Sequence, residues 1–143
     1  MTRRVIVIPP ALPLSEAWKL MKGGRFRHLP VVENGVLVGI VSDRDVLRRS
    51  RDLDSDLEVP KVPTSQIMTP APYVCSPDTH VADLVRIMTE RKIDAVPVVT
   101  TDNRLVGLVT STDLLLLLIS LDEAKVPIPF DFELDSVAVS AYA

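Results

Sequence analysis

The chain has 143 residues, of which 47% are hydrophobic and 24% are charged, and its formal net charge is -3. This composition is typical of a folded protein. The acidic balance disfavours a nucleic-acid-binding protein, because binding to phosphates depends on a surplus of Lys and Arg. The single cysteine, Cys75, excludes an internal disulfide and favours a reducing, cytoplasmic location.

Two apolar stretches are too short for membrane insertion. Pro9 and Pro10 cut off the apolar run near the N-terminus, so we do not expect a signal peptide. Residues 114–121, LLLLLISL, fall short of the roughly 18 consecutive apolar residues that a membrane-spanning helix needs. A helix that is apolar nearly all round must be covered, and we expect this one to lie partly in the core and partly in a subunit interface.

The sequence contains an internal repeat. LPVV at residues 29–32 returns as VPVV at 96–99, and GIVSDRD at 39–45 returns as GLVTSTD at 107–113. The offset rises from 67 to 68 residues because the second repeat has one more residue in a turn, which is a cheap insertion. We therefore divide the chain into repeat 1 (1–50), a polar linker (51–66), repeat 2 (67–121) and a C-terminal tail (122–143).

In chain order, repeat 1 begins with a short apolar strand at residues 5–8, which the two following prolines end. A helix is predicted over residues 15–22, and we expect Gly23 and Gly24 to end it. Two β-branched strands at 29–32 and 36–41 follow, with Asn34 and Gly35 as the turn between them. A second helix is predicted to begin at Ser42.

The same kinds of signal predict the elements of the linker and of repeat 2. Thr64 or Ser65 can cap a short helical turn at the end of the linker. Repeat 2 then has a predicted strand at 73–75, a helix at 80–91, strands at 96–99 and 105–109, and a helix that begins at Thr110. The fold class is therefore mixed α/β (α+β): a duplicated β-α-β-β-α unit, with the two units packed sheet to sheet about a pseudo-twofold axis because neither buries its apolar faces alone.

A hydroxyl and an acid recur at the start of the second helix of each repeat, as Ser42 with Asp45 and as Thr110 with Asp113. This spacing is typical of a capping box, in which the two side chains hydrogen-bond the backbone of the first helical turn. The same helix N-terminus attracts anions. The pattern alone leaves both a capping role and a ligand-binding role open.

The two repeats resemble a pair of CBS motifs, the Bateman module. The similarity rests on IMTPAPYVCSPDTHVADLVRIMTERKIDAVPVV followed by GLVTSTDLL, and on FRHLPVV followed by GIVSDRDVL. It also extends to the CBS half of acetoin-utilisation accessory proteins, whose ACT domain has no counterpart here. Many CBS pairs have a helix before the first strand, whereas Met1 aligns with Met68. We therefore expect the tail, with Phe130, Phe132 and Tyr142, to provide the missing cover.

The resemblance implies an adenosine-containing ligand. In CBS pairs that bind such ligands, the acid holds the ribose hydroxyls and the Ser or Thr lies near the ribose or phosphate, which points to Asp45, Asp113, Ser42 and Thr110. A carboxylate suits a ribose diol because it only accepts hydrogen bonds. The resemblance places adenine between strands, against Val7, Ile8, Leu29 and Pro30 in repeat 1 and against Val74, Cys75, Val96 and Pro97 in repeat 2. These eight residues are also what an ordinary strand core contains.

The cations that would bind phosphate differ between the repeats. Arg27 and His28 precede LPVV, where several nucleotide-binding family members have basic residues, whereas repeat 2 has Asp94 and Ala95 there. An acid repels phosphate, so we expect two unequal pockets, with phosphate near Arg27 and His28. Further candidates for phosphate contacts are Arg25, Arg44, Arg91 and Lys92. AMP, ADP or ATP are the favoured ligands, and S-adenosylmethionine and NAD rank below them.

Catalysis is disfavoured by the residues present. His28, Ser42 and Asp45 could suggest a hydrolase triad, but Ser42 lacks a nucleophile-elbow context. With two histidines and one cysteine, no metal-ligand spacing occurs, so neither a cofactor nor a metal is expected. We expect a regulatory module that senses an adenine nucleotide, forms a homodimer and acts on a partner enzyme or transporter. The alternative is a ligand-free module for dimerisation or protein interaction.

Overall fold

The computed structural model describes residues 4–54 and 56–121, and residues 125, 127, 129–131, 133 and 134 of the tail. The helices are α1 (Leu14–Gly24), α2 (Asp43–Arg49), α3 (Val81–Arg91) and α4 (Ser111–Leu121), and a 3-10 turn covers Thr64–Gln66. The strands are β1 (His28–Glu33), β2 (Val36–Ser42), β3 (Arg51–Leu53), β4 (Asp56–Glu58), β5 (Thr69–Pro70), β6 (Ala95–Val99) and β7 (Leu105–Thr110). The mixed α and β architecture, duplicated along the chain, is confirmed.

Each repeat is built around one antiparallel hairpin, β1–β2 in repeat 1 and β6–β7 in repeat 2. The predicted turn at Asn34 and Gly35 is confirmed, since both residues have a positive φ, at 52° and 82°, as a tight two-residue hairpin turn requires. The longer turn of repeat 2 has Asn103 in the left-handed region, with φ at 61°. Both hairpins also carry an irregularity at equivalent places, between Val31 and Val32 and between Val98 and Val99.

The predicted first strand of each repeat is reduced to a single bridging residue. Ile8 pairs in parallel with Val31, and Cys75 with Val98. The Ile8 N–H donates to the carbonyl of Pro30 at 3.1 Å, and the ladder stops there because Pro9 and Pro10 have no N–H to continue it. The predictions of strands at 5–8 and 73–75 were therefore wrong in length, although the pairing that they implied is present.

The predicted glycine stop of α1 was also wrong. Gly24 is still helical, and the residue that turns left-handed is Arg25, with φ at 57°. Its N–H donates to the carbonyl of Met21, and the N–H of Phe26 donates to the same oxygen at 3.0 Å. Lys92 does the same at the end of α3, with φ at 53°. Both helices thus end at the same position of the repeat, which is Arg25 in α1 and Lys92 in α3 and not a glycine.

The segment predicted as a linker has structure of its own and is anchored to repeat 1. Strands β3 and β4 form an exposed hairpin. Thr64 is fully buried, and its hydroxyl donates to the carbonyl of Leu12 at 2.7 Å. Strand β5 then pairs with β2, so the beginning of repeat 2 completes the sheet of repeat 1.

Two cores lie under the two hairpins. The first includes Leu14, Leu29, Val31, Val41 and Val46, and the second includes Leu84, Met88, Val96, Val98 and Val109. The hairpins meet where the turn of repeat 2 reaches β2. There the Asn103 side chain donates to the carbonyl of Leu37 at 2.9 Å, and the Leu37 N–H donates to the carbonyl of Asn103 at 3.0 Å. This contact holds the repeats together at one end of their pseudo-twofold arrangement.

Helix α4 differs from expectation because it contributes little to either core. None of its residues is buried, and only Leu114 packs against the core of repeat 2. Leu118 is 63% exposed and Ile119 is 72% exposed. In the tail, Phe130 is 68% exposed, while Phe132 and Tyr142 lie outside the described residues.

Candidate ligand-binding clefts

The hydroxyl and acid pairs cap their helices in both repeats. The N–H of Asp45 donates to Ser42 Oγ at 3.2 Å, and the N–H of Ser42 donates to Asp45 Oδ2 at 2.8 Å. In repeat 2, the N–H of Asp113 donates to Thr110 Oγ1 at 3.3 Å, and the N–H of Thr110 donates to Asp113 Oδ2 at 2.8 Å. The capping role is therefore confirmed, and it fixes both carboxylates at helix N-termini, where a ligand anion is stabilised.

Each acid faces a cleft between the repeats. The cleft of Asp113 has a volume of about 240 Å³ and is also lined by Thr110. The cleft of Asp45 has a volume of about 330 Å³ and is also lined by Ser42. We call them the Asp113 cleft and the Asp45 cleft.

The two clefts are built from equivalent positions of opposite repeats. The Asp113 cleft takes residues 108 and 110–113 from repeat 2 and residues 4–6 and 25–28 from repeat 1. The Asp45 cleft takes residues 40 and 42–45 from repeat 1, with Arg48, and residues 71–73 and 92–95 from repeat 2, with Thr69. Every shared position is related by the offset of the sequence repeat. The clefts are thus a pseudo-symmetric pair, and each needs both repeats.

Because each cleft takes residues from both repeats, the predicted grouping of site residues changes. Arg27 and Asp45 belong to the same repeat, but Arg27 lines the Asp113 cleft. Its guanidinium Nε lies 3.6 Å from the carboxylate of Asp43. His28 lines both clefts, because it begins β1 directly opposite Ser42 at the end of β2. Asp94 also lines both, so its charge is not confined to one pocket as the sequence suggested.

The eight residues predicted to hold adenine line neither cleft. Six of them, Ile8, Leu29, Pro30, Cys75, Val96 and Pro97, are buried. Val7 and Val74 are exposed but lie outside both cleft linings. The bridging residues Ile8 and Cys75 are buried, and the segments that line the clefts lie earlier in the chain, at residues 4–6 and 71–73. The six buried residues are therefore ordinary core residues.

The residues that do form the apolar walls were missed. Ile6 lines the Asp113 cleft, and Tyr73, its repeat equivalent, lines the Asp45 cleft. Tyr73 is 48% exposed, and the Arg91 guanidinium lies 4.9 Å from its ring centroid. Phe26 is a further wall of the Asp113 cleft. An exposed aromatic at a repeated position was the available sequence signal for Tyr73.

The two clefts differ in their numbers of cationic and acidic residues. The Asp113 cleft has three arginines, Arg4, Arg25 and Arg27, against two acids, Asp94 and Asp113. The Asp45 cleft has three cations against three acids, which are Arg44, Arg48 and Lys92 against Asp43, Asp45 and Asp94. The Asp113 cleft is therefore the more favourable site for phosphate, as an excess of cations attracts anions.

His28 is the titratable group that the clefts share. Burial lowers its pKa below the ordinary value of 6.5, and Arg27 acts in the same direction. The carboxylates of Asp43, Asp94 and Asp45 oppose this change. His28 is therefore neutral above pH 6.5, and in that state its imidazole offers an N–H donor to the clefts rather than a positive charge.

The described residues also bear on catalysis, metal binding and membrane insertion. Ser42 Oγ accepts a backbone hydrogen bond as part of a cap, and burial raises the pKa of the Cys75 thiol, so neither group is arranged as an activated nucleophile. Among the described residues, no three His, Cys, Asp or Glu side chains are grouped so as to hold a metal ion. Within the same residues, no helix combines the length and apolar character of a membrane span.

Comparison with known proteins gives a consistent result. The CBS domain model matches residues 1–52 and 65–120. The CBS domain-containing protein YhcV of Bacillus subtilis is 33% identical over 114 residues, which cover 80% of this chain and 79% of that protein. Other curated relatives are longer, and the chain spans 41% of one and 22% of two others.

Two solved structures share the fold. The CBS domain pair of protein MJ0100, in complex with 5'-methylthioadenosine and S-adenosyl-L-methionine, is 29% identical with a TM-score of 0.72, over 84% of this chain and 92% of that one. CBSX2 in complex with AMP is 25% identical with a TM-score of 0.75, over 85% of this chain and 93% of that one. The matched family model, the relative and the folds agree, and the chain belongs to the CBS domain family, with two CBS motifs forming a pair.

Proposed function

We propose that this chain is a regulatory module that binds adenosine-containing ligands in the clefts between its two CBS motifs. The observation that carries the proposal is the pair of pseudo-symmetric clefts, each with a hydroxyl and a carboxylate at a helix N-terminus. MJ0100 was solved with 5'-methylthioadenosine and S-adenosyl-L-methionine and CBSX2 with AMP, which supports this class of ligand.

Capping and ribose binding are compatible at the same acid. The backbone bond to the Asp45 carboxylate goes to Oδ2. A carboxylate has two acceptor oxygens, so Asp45 can accept a ribose hydroxyl at Oδ1 while it keeps the cap. Asp113 has the equivalent role in the other cleft. Ser42 and Thr110 lie beside these acids and face the ribose or the first phosphate.

We infer from the charge balance that the two clefts take different ligands. The arginines Arg4, Arg25 and Arg27 favour AMP, ADP or ATP in the Asp113 cleft. S-adenosylmethionine carries a sulfonium cation and ranks lower there, as does the larger NAD. The Asp45 cleft has balanced charges and an aromatic wall at Tyr73, and it takes an adenosine compound with fewer phosphates.

Calorimetric titration of the whole chain with AMP, ADP, ATP, NAD and S-adenosylmethionine tests the proposal. We expect binding tighter than millimolar for at least one phosphate-bearing ligand, with affinity rising as phosphates are added. Absence of binding for all five at millimolar concentration would refute the proposal for these ligands. Equal weakening of adenosine and ATP by Arg27→Ala would refute the assignment of phosphate to the Asp113 cleft.

The regulatory step requires that the ligand favour one shape of the module. A ligand changes an equilibrium only through its difference in affinity for two states, and a shift from 1:99 to 99:1 requires about 5.5 kcal/mol. We propose that the module is a cytoplasmic homodimer, without catalysis of its own, and that the ligand-dependent shape is read by a partner enzyme or transporter. Small-angle scattering with and without ligand measures the change in shape.

A second candidate function is a ligand-free interaction module. The exposed leucines of α4 favour it, since apolar patches of this kind mark protein interfaces. The double variant Asp45→Ala and Asp113→Ala separates the two candidates. A lower free energy of unfolding without any change in ligand affinity supports the interaction module, and a loss of affinity supports the sensor.

A further inference from the structure

A network of three ionisable residues, Arg27, His28 and Asp43, lies where the two clefts adjoin. Arg27 lines the Asp113 cleft, Asp43 lines the Asp45 cleft and His28 lines both. The offset of the repeat gives their counterparts in repeat 2, which are Asp94, Ala95 and Ser111. The counterparts have neither a cation nor an imidazole, so the network is a property of repeat 1 alone.

The network joins a cation of one cleft to an acid of the other. Arg27 Nε lies 3.6 Å from Oδ2 of Asp43. The Asp43 N–H donates to the carbonyl of Arg27 at 2.9 Å, which holds the first residue of α2 against the residue before β1. His28 follows Arg27 in the chain and pairs with Ser42, the residue before Asp43. A change in the partner of Arg27 therefore alters the charges around His28.

The ion pair between Arg27 and Asp43 can be exchanged. The Arg27 side chain is 55% exposed and the Asp43 side chain is 28% exposed, and an ion pair this accessible to water contributes little to stability. Bonds from a guanidinium to phosphate are charge-assisted and often bidentate. A phosphate in the Asp113 cleft should therefore take Arg27 from Asp43, and Asp43 is then left close to His28 without its cation.

The surroundings of His28 make it responsive to that exchange. Burial lowers its pKa below 6.5, Asp43 is the strongest of the charges that raise it, and Arg27 lowers it. Asp94 and Asp45 also raise this pKa. Phosphate bound to Arg27 would neutralise the cation that lowers the pKa and free the carboxylate that raises it, and a nearby anion favours the charged imidazole. All three effects have the same sign.

We propose that this network couples phosphate binding to proton uptake: a phosphate-bearing ligand in the Asp113 cleft binds Arg27, Asp43 exchanges Arg27 for His28, and the imidazole of His28 binds a proton from solvent. The inference rests on the proposed function and adds a dependence on pH to it.

The dependence on pH has a definite direction. Linkage requires that a ligand which increases proton uptake binds more tightly when protons are more abundant. The affinity for a phosphate-bearing ligand should therefore rise as the pH falls through the pKa of His28 in the bound state, and the rise should level off below the pKa of His28 in the free protein. The module thus responds to acidity as well as to its ligand.

NMR titration of the imidazole protons tests the network directly, because the chain has only two histidines. His28→Gln assigns the two signals, and His80, which lines neither cleft, is the internal reference. The pKa of His28 should rise by about 1 when the protein is saturated with AMP and should not rise with adenosine, which lacks the phosphate. The His80 signal should be the same with either ligand. An equal rise with adenosine would overturn the proposal.

Variants of the network give a second measurement that needs no ligand. In the free protein, Arg27→Ala should raise the pKa of His28, since it removes the cation that lowers it. Arg4→Ala is the matched control, because Arg4 lines the same cleft but is not among the charges that act on His28, and it should leave the His28 titration unchanged. Asp43→Asn should abolish the rise that AMP causes. Circular dichroism confirms that each variant folds.

The two proposals fail in different ways. Calorimetry without AMP binding would refute the ligand, whereas AMP binding in calorimetry with no change in the His28 titration would refute the network and leave the ligand site intact. An unchanged His28 titration in folded Arg27→Ala would overturn the network whether or not AMP binds.

Discussion

Asp113 should have two separable roles, in stability and in ligand affinity. Replacement by Ala removes the acceptor of the Thr110 N–H at 2.8 Å, and loss of such a cap costs about 1 kcal/mol, which lowers Tm by about 4 °C for a chain of this size. Asp113→Asn keeps a side-chain carbonyl as the acceptor, so its loss of stability should be smaller.

The effect on affinity should follow the charge instead. A hydrogen bond to a charged group is worth about 1.5–3 kcal/mol, so loss of the carboxylate should weaken AMP binding by about 10- to 150-fold. Both Asp113→Ala and Asp113→Asn should show this loss, although they differ in stability. Because the clefts are separate, only one of the two binding events should change.

Urea denaturation and AMP calorimetry of the same preparations check these values. Asp45→Asn is the matched control, since it alters the equivalent acid of the other cleft. If Asp113→Asn binds AMP as tightly as the wild type at both sites, the acid is a helix cap only, and the assignment of Asp113 to the ribose is refuted.

Three further predictions concern other residues. Arg27→Ala should weaken ATP binding by about tenfold and leave adenosine binding unchanged in calorimetry, and an equal loss for both would contradict a phosphate contact. The lowered pKa of His28 means that the unfolded chain binds the proton more readily, so stability is full above pH 6.5 and is lost as the pH falls through the folded pKa. Urea denaturation at several pH values should show a smaller loss for His28→Gln, and the same loss would contradict this role. Asn103→Gly keeps the left-handed turn but loses the bond to Leu37, which should cost about 1 kcal/mol, and Asn103→Ala should cost about 1 kcal/mol more because of its positive φ. Denaturation of the pair checks this order.

Local chemistry made much of the fold predictable. The turn at Asn34 and Gly35 and the cap at Ser42 depend on residues a few positions apart, and each was predicted from those residues alone. The helix end at Arg25 was not, because glycine is only one of the residues that tolerate the left-handed region. The short helical turn at Thr64 was predicted, but its cap was not found: the position before the turn is Pro63, with no side-chain capping bond. The Thr64 hydroxyl instead donates to the carbonyl of Leu12, 52 residues away.

The site was predictable in its residue types and not in its assembly. The acids were found because the repeat marks them twice. Their grouping with Arg27 was wrong, since only the packing of one repeat against the other places Arg27 opposite Asp113. The residues predicted to contact adenine lie outside both clefts for a similar reason. Ile6 and Ile8 are both apolar, and the bridge of Ile8 to Val31 decides which of them is buried.

The pairing of β5 with β2 determines how the protein would respond to a cut in its chain. A cut in the exposed β3–β4 hairpin would separate the first repeat from the strand that completes its sheet and from Thr64, which holds Leu12. Each fragment would also contain only half of each cleft. The two fragments should therefore reassemble most readily in the presence of a ligand, so that a reporter split across this hairpin would turn occupancy of the clefts into a signal.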